Sequence, residues 1–458
     1  MTTSQSISWT DVAREATEHL GRLLAIGTGC PPGYELPAAR YLLGLFESEG
    51  IPALILPPPS TGRVSPSPRP NLVAHLPGGG GDEPLLLLSH LDSAPRTACE
   101  WEPDTIPDGS IFRGPGAITG VHLAVAQAMA LILLARSEVP LRRTVRYAAT
   151  SEGMGGRGIG LATLAKDHLE HITSDIAIGW GGLSWHGRDR EPYSLLATAD
   201  KGALLLRLRS EGSGGYWCIR SGKDPVERLL KALDRLVRIE FPPRPCPASL
   251  SLIRSIGGFL PDAKSAILNE ILDSVTAQHA LSELESDRSV DPGLVSLIRA
   301  SLQTRGSVAR IEANAGEGLM PRIAEADLIY CFPPGEDVEA LARRVLEALG
   351  PDGVYLAEKE ILPPSESALN QEVCSMARAA IAEVDPRANL IVGLAPWPTG
   401  LGSFRRFGTS VFGWEPFAST GSLADTLSVR GGPGERLDAA EFVREIRAIY
   451  SFLCRMAQ

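Results

Sequence analysis

Four consecutive leucines at positions 85–88 run directly into a Ser-His-Leu-Asp sequence. A short, wholly apolar segment of this kind is typical of a strand that is buried on both faces of a parallel sheet. Because residues two apart on a strand point to the same side, we expect His90 and Asp92 to pair at the carboxyl end of this strand. Ligands bind at that edge in open α/β sheets. The segment therefore predicts an α/β fold and the position of its site.

Strand and helix patterns alternate through the first part of the chain. Apolar residues have helical spacing over 12–24 and 36–49, and a buried helix is predicted over 121–135. Strands are predicted at 71–76 and 144–150, on either side of the buried helix. This alternation predicts a three-layer α/β fold with a mostly parallel sheet.

The pattern changes after Lys201, where residues 204–209 are typical of an edge strand. A chain of 458 residues exceeds the roughly 250 to 300 residues at which single cores stop growing. We therefore predict two domains. Residues 1–199 and 363–458 are assigned to the α/β domain, and residues 200–362 to an inserted α+β domain of ferredoxin-like type.

Composition limits the partners and the compartment. The net charge of -10 argues against a nucleic-acid partner, because phosphate binding needs clustered Lys and Arg. The longest apolar helix, 121–135, is shorter than the roughly 20 residues of a membrane span. Seven cysteines without Cys-x-x-Cys spacing are typical of reduced thiols, and the first residues show no secretory signal. We expect a cytoplasmic protein with a small-molecule partner and no membrane association.

Several short sequences occur in an order and spacing that match a known family. They are Ser89 to Asp92, 101–104, 108–112, Thr150 to Glu152, Gly155-Gly156, Lys201-Gly202, 333–335, 413–416 and 432–436. On these pieces the chain resembles the metallopeptidases of the aminoacylase, succinyl-diaminopimelate desuccinylase and glutamate carboxypeptidase type. The resemblance implies a zinc-binding α/β domain interrupted by a smaller lid domain, and a homodimer formed through the lid.

The zinc ligands that the resemblance implies are mostly missing. Two zinc ions would share five ligands, of which only His90 is present. The other four positions fall at Ile118, Gly153, Trp180 and Gly431 or Arg430. A catalytic zinc site needs three protein ligands and an open position. We therefore predict a degenerate site with no catalytic zinc and no other cofactor.

The substrate-binding residues of the family are changed as well. The lid histidine that would reach the partner subunit's site falls at Tyr216. The lid asparagine and arginine fall at Gly318 and Cys331. Tyr216, Trp180 and His122 are the candidate substrate-binding residues. The alternative is that these three side chains only fill space, as packed or capping residues.

His90, Asp92 and Glu152 remain as the candidate catalytic residues. The resemblance implies that Glu152 is the general base and that Asp92 orients the histidine. Without zinc, attacking water loses a pKa shift of roughly 8 to 9 units, so amide hydrolysis would be very slow. A His-Asp pair still transfers protons near neutral pH. We expect acid/base chemistry on a small, specialised-metabolite substrate: cyclisation, elimination, isomerisation or acyl transfer.

Two alternatives stay open at this point. The first is a non-catalytic pseudo-peptidase that binds a small molecule or a partner protein. In that case Glu152 has only a structural role at the start of a helix, where a negative charge suits the helix dipole. The second is an amidohydrolase or carboxypeptidase whose metal site is rebuilt from His122, Asp104 or Glu415.

Overall fold

The computed structural model describes residues 7–30, 33–57, 69–95, 110–155, 158–218, 224–273 and 276–458. The strands within these ranges are β1 (Ala53–Leu56), β2 (Asn71–Leu76), β3 (Asp82–His90), β4 (Ile111–Arg113), β5 (Arg143–Thr150), β6 (Ile176–Gly179), β7 (Leu183–His186), β8 (Pro192–Asp200), β9 (Gly202–Glu211), β10 (Gly215–Tyr216), β11 (Arg305–Glu312), β12 (Leu319–Met320), β13 (Ile323–Phe332), β14 (Val354–Leu362), β15 (Ser365–Glu366), β16 (Asn389–Ala395), β17 (Ser410–Trp414) and β18 (Arg436–Asp438).

The helices are α1 (Trp9–Ile26), α2 (Glu35–Ser48), α3 (Val121–Arg136), α4 (Ile159–Asp167), α5 (Pro225–Val237), α6 (Pro247–Gly257), α7 (Asp262–Ile271), α8 (Ala277–Ser286), α9 (Pro292–Leu302), α10 (Val338–Ala348), α11 (Gln371–Val384), α12 (Gly402–Arg405), α13 (Leu423–Val429) and α14 (Ala439–Ala457).

A ten-stranded sheet forms the centre of the molecule, in the order β1-β2-β5-β3-β6-β17-β8-β15, with β7 and β16 also paired to β8. The middle strands β5, β3, β6 and β17 are parallel, and antiparallel pairs flank them on both sides. The four leucines of β3 have no exposed surface, as the sequence predicted for a central strand. The predicted α/β fold is confirmed.

Helix α3 is buried on every side. It contacts β3, β5, α1 and α14, so no face of this helix reaches solvent for most of its length. This explains why residues 121–134 are almost all apolar and lack the amphipathic pattern of a surface helix. The first residues of α3 lie beside the end of β3, and this packing helps to place the site.

A separate antiparallel sheet, in the order β11-β13-β9-β14, packs on helices α5 and α10. Its apolar residues form a core of their own. Alternating burial along β13 is typical of a sheet with one covered face. This unit lies within the segment that the sequence assigned to an inserted α+β domain.

Helices α6 to α9 pack differently from the rest of that segment. Their apolar side chains share a core with Leu183 and Leu195 of β7 and β8 and with Ile391 of β16, which belong to the large sheet. The inserted range 200–362 therefore contains helices that are joined to the first domain by packing. The domain boundaries remain a prediction.

Among the described helices, none combines the length and the apolar character that a membrane crossing requires.

Candidate functional site

A cavity of about 270 Å³ lies at the carboxyl ends of the parallel strands. His90 ends β3, Gly153 follows β5, Trp180 follows β6 and Glu415 follows β17, and all four residues line the cavity. We refer to it as the His90 cavity. Its position is the one expected for ligand binding in an open α/β sheet.

His90, which lines this cavity, forms a hydrogen-bonded pair with the buried Asp92. Nδ1 of His90 lies 3.1 Å from Oδ1 of Asp92 and 3.0 Å from its backbone oxygen. The Asp92 carboxylate also accepts hydrogen bonds from the backbone amides of Gly153, at 2.7 Å, and Met154, at 3.0 Å. Because both partners of Nδ1 are acceptors, Nδ1 carries the proton and Nε2 is the ring nitrogen left for a bound molecule.

The charge on Asp92 is maintained despite complete burial. Burial alone would raise the pKa of this carboxyl, but hydrogen bonding to His90 and to two backbone amides outweighs burial and lowers the pKa. Asp92 is therefore an anion at neutral pH, and it fixes the orientation of the imidazole.

Two glycines enclose the imidazole ring of His90. A Cβ at Gly120, where φ is 88°, would lie 2.2 Å from Cε1 of the ring. A Cβ at Gly153 would lie 2.4 Å from Cβ of His90. Side chains at these two positions would collide with the histidine. This gives a physical reason for a glycine at position 153, where the family resemblance implies a glutamate ligand.

The carboxylate of Glu152 is bound by Arg69, and Glu152 does not line the His90 cavity. Arg69 also pairs with the buried Glu35 at 2.7 Å and donates to Sγ of Cys30 at 3.0 Å. Although burial disfavours the charge on Arg69, the hydrogen bond and charge of Glu35 raise its pKa. Glu152 itself has a positive φ of 55°. The third predicted catalytic residue is thus held in an ion pair beside the cavity.

Trp180 packs its ring against His90. The ring centroids are 5.3 Å apart in an edge-to-face arrangement, and Nε1 of Trp180 donates to the backbone oxygen of Thr399 at 2.9 Å. Only 5% of Trp180 is exposed. With Trp397, which also lines the cavity, it gives the cavity an apolar wall.

Arg430 brings a permanent positive charge to the same cavity. Its Nη2 donates to Oε2 of Glu415 at 2.6 Å, and its guanidinium stacks over the ring of Trp397 at 4.9 Å. Oε1 of Glu415 accepts from the amide of Gly181 at 2.8 Å. The sequence placed Arg430 only as an alternative for a missing ligand. No local pattern shows that its charge reaches the cavity.

His122 lies next to this ion pair and does not line the cavity. Nε2 of His122 is 3.7 Å from carboxylate oxygens of Glu415 and of Glu445. Burial, together with the charge of Arg430, lowers the pKa of His122 well below its usual value. Burial and the charge of Glu415 raise the pKa of Glu445 well above its usual value. Both shifts favour the uncharged forms of His122 and Glu445.

Tyr216, unlike His122 and Glu445, is exposed to solvent. It is 65% exposed, on the short strand β10, where it pairs with Leu319 of β12. It does not line the His90 cavity within this chain. Of the six residues predicted from sequence, His90 and Trp180 line the cavity, and Asp92 lies behind His90, to which it is hydrogen-bonded. His122, Glu152 and Tyr216 lie outside the lining.

Glu435 is a positioning residue that the sequence did not reveal. Its Oε1 accepts hydrogen bonds from the amides of Gly116 and Ile118 and from the hydroxyl of Thr119. These contacts hold the loop that leads into Gly120 and the His90 ring. Burial raises the pKa of Glu435 to about 7. The contact joins residues more than 300 positions apart, so no local motif predicts it.

The residues around His90 do not fit a zinc ion. The positions expected for the other ligands hold the apolar Ile118, Gly153, the indole of Trp180 and the cationic Arg430. Zinc is bound by thiolates, imidazoles and carboxylates, and a guanidinium repels it. In the part of the chain that the structure describes, no group of three or more His, Cys, Asp or Glu side chains is arranged to hold a metal ion.

A rebuilt metal site from other residues also meets an obstacle. Both oxygens of the Glu415 carboxylate already accept hydrogen bonds, one of them from the Arg430 cation. His122, 3.7 Å from oxygens of Glu415 and Glu445, also feels the charge of Arg430, which would oppose a metal ion at this point. Asp104, the third candidate, lies outside the described residues.

Solved structures share this architecture over almost the whole chain. The dipeptidase Dug1p from Saccharomyces cerevisiae is 15% identical, with a TM-score of 0.71 and coverage of 98% of both chains. Human carnosine dipeptidase 1 gives the same identity, score and coverage. The M20 family metallo-carboxypeptidase Sso-CP2 from Sulfolobus solfataricus is 17% identical, with a TM-score of 0.67 over 96% of this chain and 98% of its own.

The fold is that of the M20 family metallopeptidases. No protein-family model matches the sequence, and no curated protein matches it significantly. At these identities the likeness to the M20 structures shows the fold, and the activity must be argued from the site. The predicted metallopeptidase-like scaffold is confirmed.

Proposed function

We propose that this protein is a metal-independent enzyme on the M20 peptidase scaffold, in which His90 and Asp92 transfer protons to and from a small-molecule substrate. The observation that carries the proposal is the His90-Asp92 pair in a cavity at the strand ends. A buried carboxylate that accepts from Nδ1 leaves Nε2 to act as acid or base.

Besides the histidine, the cavity contains a second functional group. The guanidinium of Arg430 lines it, and a fixed cation stabilises negative charge that develops on a substrate oxygen. Proton transfer at His90 together with charge stabilisation at Arg430 suits isomerisation, elimination, cyclisation or acyl transfer. In each of these reactions a carbonyl or leaving-group oxygen gains charge.

The size of the cavity limits the substrate. About 270 Å³ is near the lower end of the range of small-molecule sites. Trp180 and Trp397 form apolar walls, so the part of the substrate away from the reacting oxygen is expected to be apolar or aromatic. A specialised metabolite of this size is the class we propose.

The experiment is a screen of the purified protein against a library of small metabolites, followed by mass spectrometry, with and without a chelator. We expect turnover of a small substrate that the chelator leaves unchanged and that His90→Ala reduces by roughly a hundredfold or more. His75→Ala, an exposed histidine on β2, is the matched control and should retain full activity. Arg430→Met should reduce the same turnover.

The metal content of the purified protein is a second test, and its result can contradict the proposal. Inductively coupled plasma mass spectrometry of protein from zinc-supplemented cells should find no stoichiometric zinc. Zinc at stoichiometric level, with activity lost on chelation, would overturn the proposal and favour amide hydrolysis on a rebuilt metal site.

One observation favours a second candidate, a non-catalytic binding protein. Glu152 is held by Arg69 and Glu415 by Arg430, so neither carboxylate is free to act as a base. If the protein only binds, a compound from the same library should bind in the His90 cavity and should be recovered chemically unchanged. His90→Ala would then change the affinity alone.

The proposal includes a cytoplasmic homodimer formed through the β11-β13-β9-β14 sheet, as the family resemblance implies. Tyr216 is exposed in this unit, and in a dimer it would be able to approach the partner subunit's site. Light scattering on the full chain measures the mass. A monomer at micromolar concentration would contradict this part of the proposal.

A further inference from the structure

A second and larger cavity lies away from the site described above. It has a volume of about 630 Å³ and lies between the β7-β8 hairpin and the ends of helices α6, α7 and α9. None of its lining residues belongs to the His90 cavity. We refer to it as the Tyr193 cavity. Its volume is in the range of small-molecule sites.

Aromatic rings form one wall of the Tyr193 cavity. Trp185 and Tyr193 stack with centroids 5.4 Å apart and an interplanar angle of 9°, and Phe259 meets Tyr193 edge-to-face at 5.7 Å. Phe259 remains 43% exposed, although its ring belongs to this aromatic group. The floor is apolar and includes the buried Ile256 and Ile391. This interior suits an apolar body.

Cationic side chains meet at one point of the cavity lining. Arg188 donates to the backbone oxygen of Ser289 at 2.6 Å, and Lys264 donates to its hydroxyl at 2.5 Å. Arg288 is the preceding residue, is exposed, and makes no hydrogen bond or ion pair with the described chain. Asp287 lies 3.6 Å from Lys264. Of these three cations, Lys264 alone forms an ion pair with a carboxylate of the described chain.

Three carboxylates, those of Asp189, Glu191 and Asp291, also line the cavity, but among the described residues none of them forms an ion pair with Arg188 or Arg288. Glu191 accepts from the hydroxyl of Tyr193 and from the amide of Asp189 in its own hairpin. Asp291 caps helix α9 by accepting from the amide of Gly293. The guanidinium groups of Arg188 and Arg288 therefore remain available to an anionic group, and charge-assisted hydrogen bonds to guanidinium groups are among the strong ones.

We propose that the Tyr193 cavity is a second ligand site, which binds an amphipathic monoanion such as a medium-chain acyl carboxylate. The carboxylate binds Arg188 and Arg288, and the acyl chain lies along Phe259 and Tyr193 above the apolar floor. The proposal is independent of the chemistry at His90.

Hydrogen bonds within the chain hold both sides of this site. In the hairpin, Gly187 donates to the backbone oxygen of Glu191 at 2.9 Å, and Arg190 has a φ of 59° in a tight turn. On the opposite side, Asp287 accepts from both the amide and the hydroxyl of Ser289. A preorganised site loses less conformational entropy on binding.

The test is isothermal titration calorimetry of the full chain with octanoate, and with octanol, octylamine and acetate as matched probes. We expect octanoate to bind, and octanol, octylamine and acetate to bind at least about tenfold more weakly. The double variant Arg188→Gln, Arg288→Gln should reduce octanoate affinity by about tenfold or more. Phe259→Ala, which removes a partly exposed ring, should also weaken octanoate binding.

Two controls separate this site from the rest of the molecule. Arg254→Gln removes an exposed arginine of α6 that does not line the cavity, and it should leave octanoate affinity unchanged. His90→Ala should also leave it unchanged, whatever the fate of the proposed activity. Equal binding of octanol or octylamine, or an affinity that the double variant does not change, would overturn the proposal, as would no octanoate binding at about 1 mM.

Discussion

Two buried histidines lie near each other at the strand ends, and their surroundings differ. His90 and Asp92 are hydrogen-bonded to each other, and Asp92 also accepts from two backbone amides. His122 and Glu445 are buried just as completely, yet none of their side-chain nitrogen or oxygen atoms has a hydrogen-bond partner in the described chain. In the first region hydrogen bonds favour a charged group inside the protein, whereas in the second region burial favours the uncharged forms.

The difference shows which buried polar group is suited to chemistry. A hydrogen-bonded anion fixes the tautomer of His90 and leaves one nitrogen facing the ligand space. His122 and Glu445, whose uncharged forms are favoured by burial, have no such arrangement. Burial of a titratable group is therefore a weak indicator of function, and its hydrogen-bond partners are a better one.

The largest expected effect is at Asp92. Asp92→Ala leaves two backbone amides buried without an acceptor, and Nδ1 of His90 keeps only the backbone oxygen of residue 92 as a partner. We expect the free energy of unfolding at pH 7 to fall by about 3 to 5 kcal/mol, as for other broken buried pairs. Asp92→Asn, which keeps one acceptor oxygen, should lose less. Denaturant unfolding measures this, and a loss below about 1 kcal/mol would remove the contrast between the two regions.

The stabilisation that Asp92 contributes depends on pH. The pKa of Asp92 is lowered by folding, so its stabilisation is present above the unfolded value of about 3.9 and disappears as the pH falls through the lower folded value. The difference in the free energy of unfolding between the parent protein and Asp92→Ala should thus be similar at pH 5 and pH 7. It should become smaller only below about pH 4.

Glu435 lies between the two cases, because one of its oxygens is bonded and the other has no partner among the described residues. Its folded pKa of about 7 exceeds the unfolded value, so ionisation destabilises the fold as the pH rises from about 4.5 to about 7. Glu435→Gln keeps the bonded oxygen and does not ionise. We expect it to be about 3 kcal/mol more stable than the parent at pH 8 and equal to it at pH 4.

Thermal or urea unfolding at the two pH values measures the Glu435 effect. Glu372→Gln, an exposed carboxylate in the first turn of α11, is the control and should show no such dependence. Equal stability of Glu435→Gln and the parent protein at pH 8 would show that Glu435 ionises freely in the folded state.

A smaller effect of opposite sign is expected at Glu445. Because its carboxyl has no hydrogen-bond partner in the described chain, Glu445→Leu removes a desolvated polar group and breaks no bond. We expect equal stability or a gain of up to about 2 kcal/mol at pH 7. A loss of that size instead would show that Glu445 has a partner in solution, and the second region would then resemble the first.

The smallest effect is expected at Trp180. Trp180→Phe keeps an aromatic ring beside His90 and removes the hydrogen bond to the backbone oxygen of Thr399. The expected loss is about 1 kcal/mol in the free energy of unfolding, the net value of one such bond. Trp397→Phe, at a residue for which no indole hydrogen bond is observed, should lose less. A similar loss in both variants would assign the effect to packing.

Much of the fold could be predicted because it depends on local patterns. The helix predicted over 121–135 is Val121–Arg136 in the structure, and the strand predicted at 144–150 lies within Arg143–Thr150. The alternation of side chains along a strand also predicted that His90 and Asp92 would pair, and they lie within hydrogen-bonding distance. In each case the periodicity of the backbone fixes the neighbours.

The sequence by itself thus determined the fold class, the strand that carries the site and the pairing of His90 with Asp92. Tertiary structure alone decided that Arg69 holds Glu152, that Arg430 lines the cavity and that Glu435 binds the loop before Gly120. These contacts join residues far apart in the chain, with separations of 83 residues for Arg69 and Glu152 and 317 for Glu435 and Ile118. Such neighbours arise from the packing of whole elements, and a local pattern carries no information about them.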